Sequence, residues 1–248
     1  LISTTYSCVG CGKCCNDHHV PLTLAEARRW AGDGGTIIVL VEAFLDSGLG
    51  IADTQREHAL RRSVRVNSGT AQAWLAITFA AYNAGPCRNL DADNRCGIYE
   101  SRPLVCRIYP MEINPHIPLR PERKDCPPES WEQGPQLIVG GQLVDTELQA
   151  LIEQSRQADR EDIRAKAAIC ERLGISTTGL KSDGFATYLP DRSAFLAAAA
   201  QVDEADGNHG WTFQLADQNL AASLLQQGAA IGYSGHAPCT FIPLSQQP

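Results

Sequence analysis

No run of the 248-residue sequence is apolar enough to cross a bilayer. The longest candidate, Ile37-Ile38-Val39-Leu40-Val41, is five residues where a membrane helix needs about 20. No secretory signal is visible, although the sequence starts at Leu1 rather than a methionine, so that absence weighs little. Aromatic residues make up only 6%, too few for a platform that stacks single-stranded bases. The formal net charge of -7 excludes the basic footprint of a general nucleic-acid binder. No Gly-x-Ser-x-Gly elbow, no Gly-x-Gly-x-x-Gly dinucleotide fingerprint and no motif for S-adenosylmethionine occurs. Ten cysteines in a chain of this length are also far below the density of a small disulfide scaffold.

What is abundant is cysteine in one place. Eight of the ten cysteines fall in the first 126 residues. Four of them form one run, Cys8-Val-Gly-Cys11-Gly-Lys-Cys14-Cys15, and the others are Cys87, Cys96, Cys106 and Cys126. Thiols this close cannot all point into one apolar core, but they can converge on a soft metal. The adjacent pair Cys14-Cys15 is awkward for disulfides, since each would need its own distant partner. All eight are therefore candidate metal ligands. Tetrahedral zinc and iron–sulfur clusters both take four thiolates, so eight allow one centre or two, and spacing alone does not apportion them. Adjacent side chains diverge, which lets Cys14 and Cys15 serve different sites. His18 and His19 follow closely and are possible substitutes for a thiol.

Charge and texture divide the chain. Residues 1–130 hold 14 acidic and 14 basic side chains, whereas residues 131–248 hold 14 acidic and 7 basic. The expected organisation is a loop-rich, cysteine-rich metal domain over 1–135 and a mainly helical, acidic extension over 136–248, in the α+β class. Thr23 and Glu26 form a capping box that starts a short helix. Thr36 to Asp46 is read as a second helix, with a strand as the alternative because of its β-branched start, and residues 73–81 as a strand, from their alternation. Arg56, Arg61, Arg62 and Arg65 are read as a solvated face. Asp91-Ala-Asp93-Asn94 is a polar turn between Cys87 and Cys96 rather than a calcium loop. Ser101 is expected to cap a short helix with Pro103 in its first turn, placing Cys106 on a rigid turn beside Arg102 and Arg107. Both guanidinium groups are candidates to stabilise an anionic cofactor. Stripes at Val144, Leu148, Leu151 and Ile152 and at Ile163, Ala167, Cys170 and Leu173 predict one long helix or two joined near Asp159. Residues 192–202 and 216–230 are expected to be helices. Cys170 reads as a buried thiol, and Cys239, in His236-Ala-Pro-Cys239, as a tail thiol able to fold back onto the cluster.

The first run, the Pro-Leu-Thr after it, Cys87 before an acidic turn, and Cys96-x-Ile-Tyr-Glu-x-Arg-Pro-x-x-Cys106-Arg-x-Tyr-Pro together resemble the CxxCxxCC family over about residues 8–126. That family comprises zinc- or iron-chelating proteins often labelled iron–sulfur oxidoreductases, and a related domain occurs in flagellin lysine N-methylases. Arg88 and Asn89 stand where the family often has a hydrophobic pair, and the interval before Cys87 is longer than usual. The resemblance implies an iron–sulfur protein with one or two [4Fe–4S] clusters, acting in redox chemistry or protein modification. The alternatives are a zinc-stapled interaction module and a methylase-like enzyme acting on a protein side chain. A cytoplasmic location, no membrane or nucleic-acid partner, and a protein partner or substrate on the acidic half complete the expectation.

Overall fold

The computed structural model describes residues 3–201, 210–232 and 238–244. Strand β1 (Ser3–Thr5) and a 3-10 turn over Lys13–Cys15 lead into β2 (Val20–Leu22) and helix α1 (Leu24–Gly32). Strand β3 (Ile37–Leu45), helix α2 (Asp53–Leu60) and strands β4 (Val64–Ser68) and β5 (Ala71–Ala81) follow. The later cysteine segment carries the short helices α3 (Leu104–Ile108) and α4 (Glu129–Glu132). Strands β6 (Gln136–Val139) and β7 (Gln142–Leu143) precede the long helix α5 (Thr146–Arg172). Then come β8 (Thr177–Leu180), β9 (Gly184–Tyr188), α6 (Arg192–Ala200), β10 (Thr212–Gln214), α7 (Gln218–Gln226) and β11 (Thr240–Pro243). This is the expected α+β mixture. Among the described residues no helix is long and apolar enough to cross a membrane.

The chain divides into two compact units, neither continuous in sequence: residues 1–22 with 82–158, and residues 23–81 with 159–248. This differs from the boundary expected near residue 135, because strand pairing links distant segments. β3 runs antiparallel to β5, with Ile37 opposite Ala81 and Leu45 opposite Ala73. It also pairs with β8 in parallel at Glu42–Gly179 and with β9 antiparallel at Val41–Ala186. β10 adds to β8, β4 to β5 and β11 to β9. Beyond residue 135 helix outweighs strand, as expected, but the segment also supplies strands that pair with β3.

In the sheet-bearing unit β3 is a central strand. Its sequence IIVLVEAFL is buried on both faces, so it shows no alternation and was expected as a helix over Thr36 to Asp46. The β-branched Ile37, Ile38, Val39 and Val41 fit a pleated strand between partners. β5 forms as expected. The Thr23–Glu26 capping box is present, with Thr23 Oγ1 accepting from Glu26 N at 3.2 Å and Glu26 Oε2 accepting from Thr23 N at 2.9 Å. Phe79 of β5 meets Phe195 of α6 edge-on, with centroids 5.3 Å apart and both side chains fully buried. α5 is one uninterrupted helix. Its stripe buries Ile163, Ala167, Ile169 and Cys170, along with Lys166, whose Nζ lies 3.1 Å from Asp159 Oδ1. Burial pushes the Cys170 thiol up, consistent with an inert packing role.

In the other unit β6 lies between β1 and β7, antiparallel to both. Leu104 and Ile108 of α3, Leu137 of β6, and Leu148 and Ile152 of α5 form its small apolar core. α3 starts at Leu104, with Pro103 in extended conformation before it and no side-chain cap, so Ser101 does not cap it. Ser101 instead closes a 3-10 turn over Tyr99–Ser101.

Candidate metal centre

The first cysteine run turns at Gly12. Its φ of +70° is costly for a residue with a side chain, and a Cβ there would stand 2.7 Å from the Asn94 carbonyl oxygen. Glycine lets the run lie against the Cys87–Cys96 loop. Cys15 N and Asn16 Nδ2 both donate to the Gly12 carbonyl, at 3.0 and 2.9 Å. The run is then stitched to the later segment: Cys87 N donates to Cys15 O at 2.6 Å and Asp17 N to Gly85 O at 3.0 Å. Inside the loop Leu90 pairs with Cys96, and Gly97 N donates to Asn89 O at 2.7 Å. Asp91 Oδ1 accepts from Asp93 N and Arg95 N at 2.9 and 2.8 Å, so its carboxylate is used in building the turn.

These contacts sort the thiols. Cys106, carried by α3, has Cys15, Cys87 and Cys96 as its charged-thiol neighbours, together with Arg102. Burial first, and then those thiols, push Cys106 up to about 12. Burial likewise raises Cys87, which neighbours Cys15, Cys96 and Arg88. Cys15 moves the other way, to about 6, because Cys14 donates a hydrogen bond to its thiolate and Arg102 and His18 add positive charge. Cys14 is correspondingly raised, first by that shared hydrogen bond and then by burial, and its further thiol neighbours are Cys126 and Cys8. The Cys126 Sγ lies 3.6 Å from the hydroxyls of both Tyr6 and Tyr109. Burial is the main cause raising both phenols, with the Cys126 contact next. Tyr6 also stacks at a tilt on Trp131, centroids 5.0 Å apart.

The remaining candidates separate. Cys11 is half-buried beside the Gly12 turn, and Cys8 is exposed. His18 Nε2 sits 2.8 Å from Asp125 Oδ2, next to Cys126 in sequence. His19 stacks near Tyr82, with centroids 5.0 Å apart, and burial lowers its pKa. Arg102 stacks on the Tyr99 ring, its guanidinium carbon 3.8 Å from the centroid, while Arg107 is exposed. Glu112 pairs with Lys124 at 2.5 Å. Cys239 donates to Gln214 Oε1 at 3.4 Å and neighbours Tyr188, within the sheet-bearing unit. His236 lies outside the described residues. Tyr6 and Tyr109 were not singled out from sequence. Tyr6 has no signal there beyond closeness to Cys8, while Tyr109 is the tyrosine of the Cys106-Arg-x-Tyr-Pro motif.

Among the described residues, no three His, Cys, Asp or Glu side chains already stand together as a ligand set for one ion. Burial and the neighbouring thiols both penalise the thiolate form of Cys87 and Cys106, a penalty that a bound cation would relieve. The unit is thus a thiol-rich metal-binding module. Residues 7–127 match the CxxCxxCC family model, described as a "putative zinc- or iron-chelating domain". No curated protein and no solved structure matches the chain. The residues fit a sulfur-rich metal group. The Nε of Arg102, beside Cys15 and Cys106, is buried without a hydrogen-bond partner. A metal-bound thiolate or an inorganic sulfide supplies the missing anionic acceptor.

Proposed function

We propose that Cys15, Cys87, Cys96 and Cys106 hold a [4Fe–4S] cluster and that the protein is a redox or protein-modifying enzyme built on it. The observation that carries this is Arg102, whose buried Nε–H lacks an acceptor and whose charge favours the thiolates of Cys15 and Cys106. Bound there, the cluster supplies one-electron chemistry. The chain's own residues set its surroundings. Arg102 donates into the sulfur shell and offsets the negative charge of the thiolates, which favours the reduced state. Arg88 adds a second positive charge at Cys87. The stitched loops fix the spacing of the first and second cysteine segments. Measuring iron and acid-labile sulfide in anaerobically isolated protein tests this: stoichiometric sulfide is expected, and a colourless, sulfide-free, zinc-loaded protein overturns it.

A zinc staple is the second reading. It is favoured by the small apolar core of the cysteine unit, which leaves loops such as 85–103 held by backbone hydrogen bonds and thiols. On either reading the ten free thiols suit a reducing compartment such as the cytoplasm. The acidic excess after residue 130 then serves a protein partner or substrate. Binding of such a partner weakens with added salt; salt-insensitive binding contradicts this role.

A further inference from the structure

Resting on the proposed redox reading for its source of charge, we infer that Tyr109, Cys126, Tyr6 and Trp131 form a relay that carries single oxidising equivalents from the helix bearing Cys106 out to Trp131. All four belong to one compact unit. Tyr109 closes α3, the helix that carries Cys106. Its hydroxyl lies 3.6 Å from the Cys126 sulfur, and the Tyr6 hydroxyl lies 3.6 Å from the same sulfur. The Tyr6 ring then stacks at a tilt on Trp131, centroids 5.0 Å apart. Trp131 is only half-buried, so the row ends against solvent. Every member of it is a side chain that can give up one electron, and each touches the next.

Hydrogen bonds on both sides of Tyr6 hold the row in place. Thr5 Oγ1 donates to the Trp131 carbonyl at 2.6 Å, Ser7 N to the Ser130 carbonyl at 2.9 Å and Tyr6 N to the Pro135 carbonyl at 3.2 Å. The Cys126 thiol donates to the Tyr109 oxygen, and its sulfur is free to accept from the Tyr6 hydroxyl, so hydrogen atoms can move the same way along both bonds. An oxygen-derived one-electron oxidant at the redox centre takes an electron from Tyr109, whose phenolic proton leaves to water. Lys124 Nζ stands 5.2 Å from the centroid of that ring and opposes a positive charge on it, so the electron and the proton leave together. The Tyr109 phenoxyl then takes the hydrogen atom of the thiol: S–H breaks and O–H forms. The Cys126 thiyl takes the hydrogen atom of Tyr6 in turn, so that O–H breaks and S–H re-forms. The Tyr6 phenoxyl gains an electron from the Trp131 indole and a proton from water, and the indole nitrogen releases its proton to water. The oxidant has gained one electron, Trp131 has lost one, and the three residues between them are as they began.

The relay is tested from its outer end, in the anaerobically isolated full chain with Tyr109 replaced by 3-aminotyrosine, a phenol that is oxidised more easily and so traps the hole. Azide radicals made by pulse radiolysis oxidise accessible indoles. Trp30 and Trp211 are buried, which leaves Trp74 and Trp131. The aminophenoxyl signal is expected to grow as the indolyl signal decays, at a rate independent of protein concentration. Trp131→Phe, Tyr6→Phe and Cys126→Ala should each abolish that growth. Growth that depends on concentration, or that survives any of the three substitutions, overturns the relay. Loss of bound metal in Cys126→Ala makes this thiol a ligand and overturns it too. Where a substituted chain does not fold, the concentration dependence in the parent chain decides. The redox reading is judged separately, by iron and sulfide content, so the two stand or fall independently.

Discussion

The two units are held together by different means. The sheet-bearing unit buries β3 on both faces and packs Phe79, Leu75 and Ile77 of β5 to 2% exposure or less. Each such side chain contributes about 1.5–3 kcal/mol on burial. The cysteine unit has five buried apolar residues in its cluster and spends most of its length in loops. Thiolate–metal bonding in a small structural zinc site is worth about 10–16 kcal/mol of apparent binding free energy, more than those few side chains supply. One unit therefore folds by excluding water; on the proposed reading the other draws on a cation to bring its loops into register.

Stripping the metal with a chelator is the sharpest way to break this contrast. Amides that stitch the loops, such as Cys87 and Leu90, should lose hydrogen-exchange protection, while those of β3 and β5 keep theirs. Equal loss in both units would erase the distinction. Phe79→Ala is the reciprocal experiment. It should cost about 3–5 kcal/mol in denaturant unfolding of the sheet-bearing unit and leave metal stoichiometry unchanged. Gly12→Ala strikes the cysteine unit at its turn. The left-handed backbone alone costs about 1–2 kcal/mol, so metal affinity should fall roughly 5–30-fold in a competition titration. The smallest effect is expected at Asp46. Its exposed carboxylate accepts from Trp74 Nε1 at 2.7 Å and lies 3.3 Å from Arg65 Nη2, and both hold its pKa below the ordinary value, the indole contact most strongly. A depressed acid stabilises the fold above its unfolded pKa, and that contribution fades as pH falls through the folded one. Asp46→Asn should lower stability slightly near neutrality and leave it unchanged in strong acid, where the carboxyl is already protonated, so that the acid limb of the profile flattens.

Local features were legible in the sequence and distant pairings were not. The Thr23–Glu26 box, the β5 alternation and the α5 stripe are written within a few residues of themselves, and they formed. β3 was not legible as a strand, because a segment buried on both faces loses its period. The unit boundary was hidden for a related reason: β3 finds β8 and β9 only after the whole cysteine segment has intervened. At the metal centre, the eight thiols and their adjacency at Cys14-Cys15 were visible. Which distant thiol each one meets was not, since that depends on the Gly12 turn and the Cys15–Cys87 backbone bond. Arg102 and Arg107 looked equivalent in sequence. The helix phase of α3 sends Arg107 to solvent, while Arg102, in the extended residues before it, stays beside the thiols.

The discontinuous path has a practical corollary for anyone dissecting the protein. The family match ends at residue 127, yet residues 23–81 within it belong to the unit completed by residues 159–248. A fragment trimmed to the match would carry β3 without β8 and β9 and leave a long apolar strand edge bare, a template for self-association. A fragment that respects the units must therefore treat residues 23–81 and 159–248 as one body.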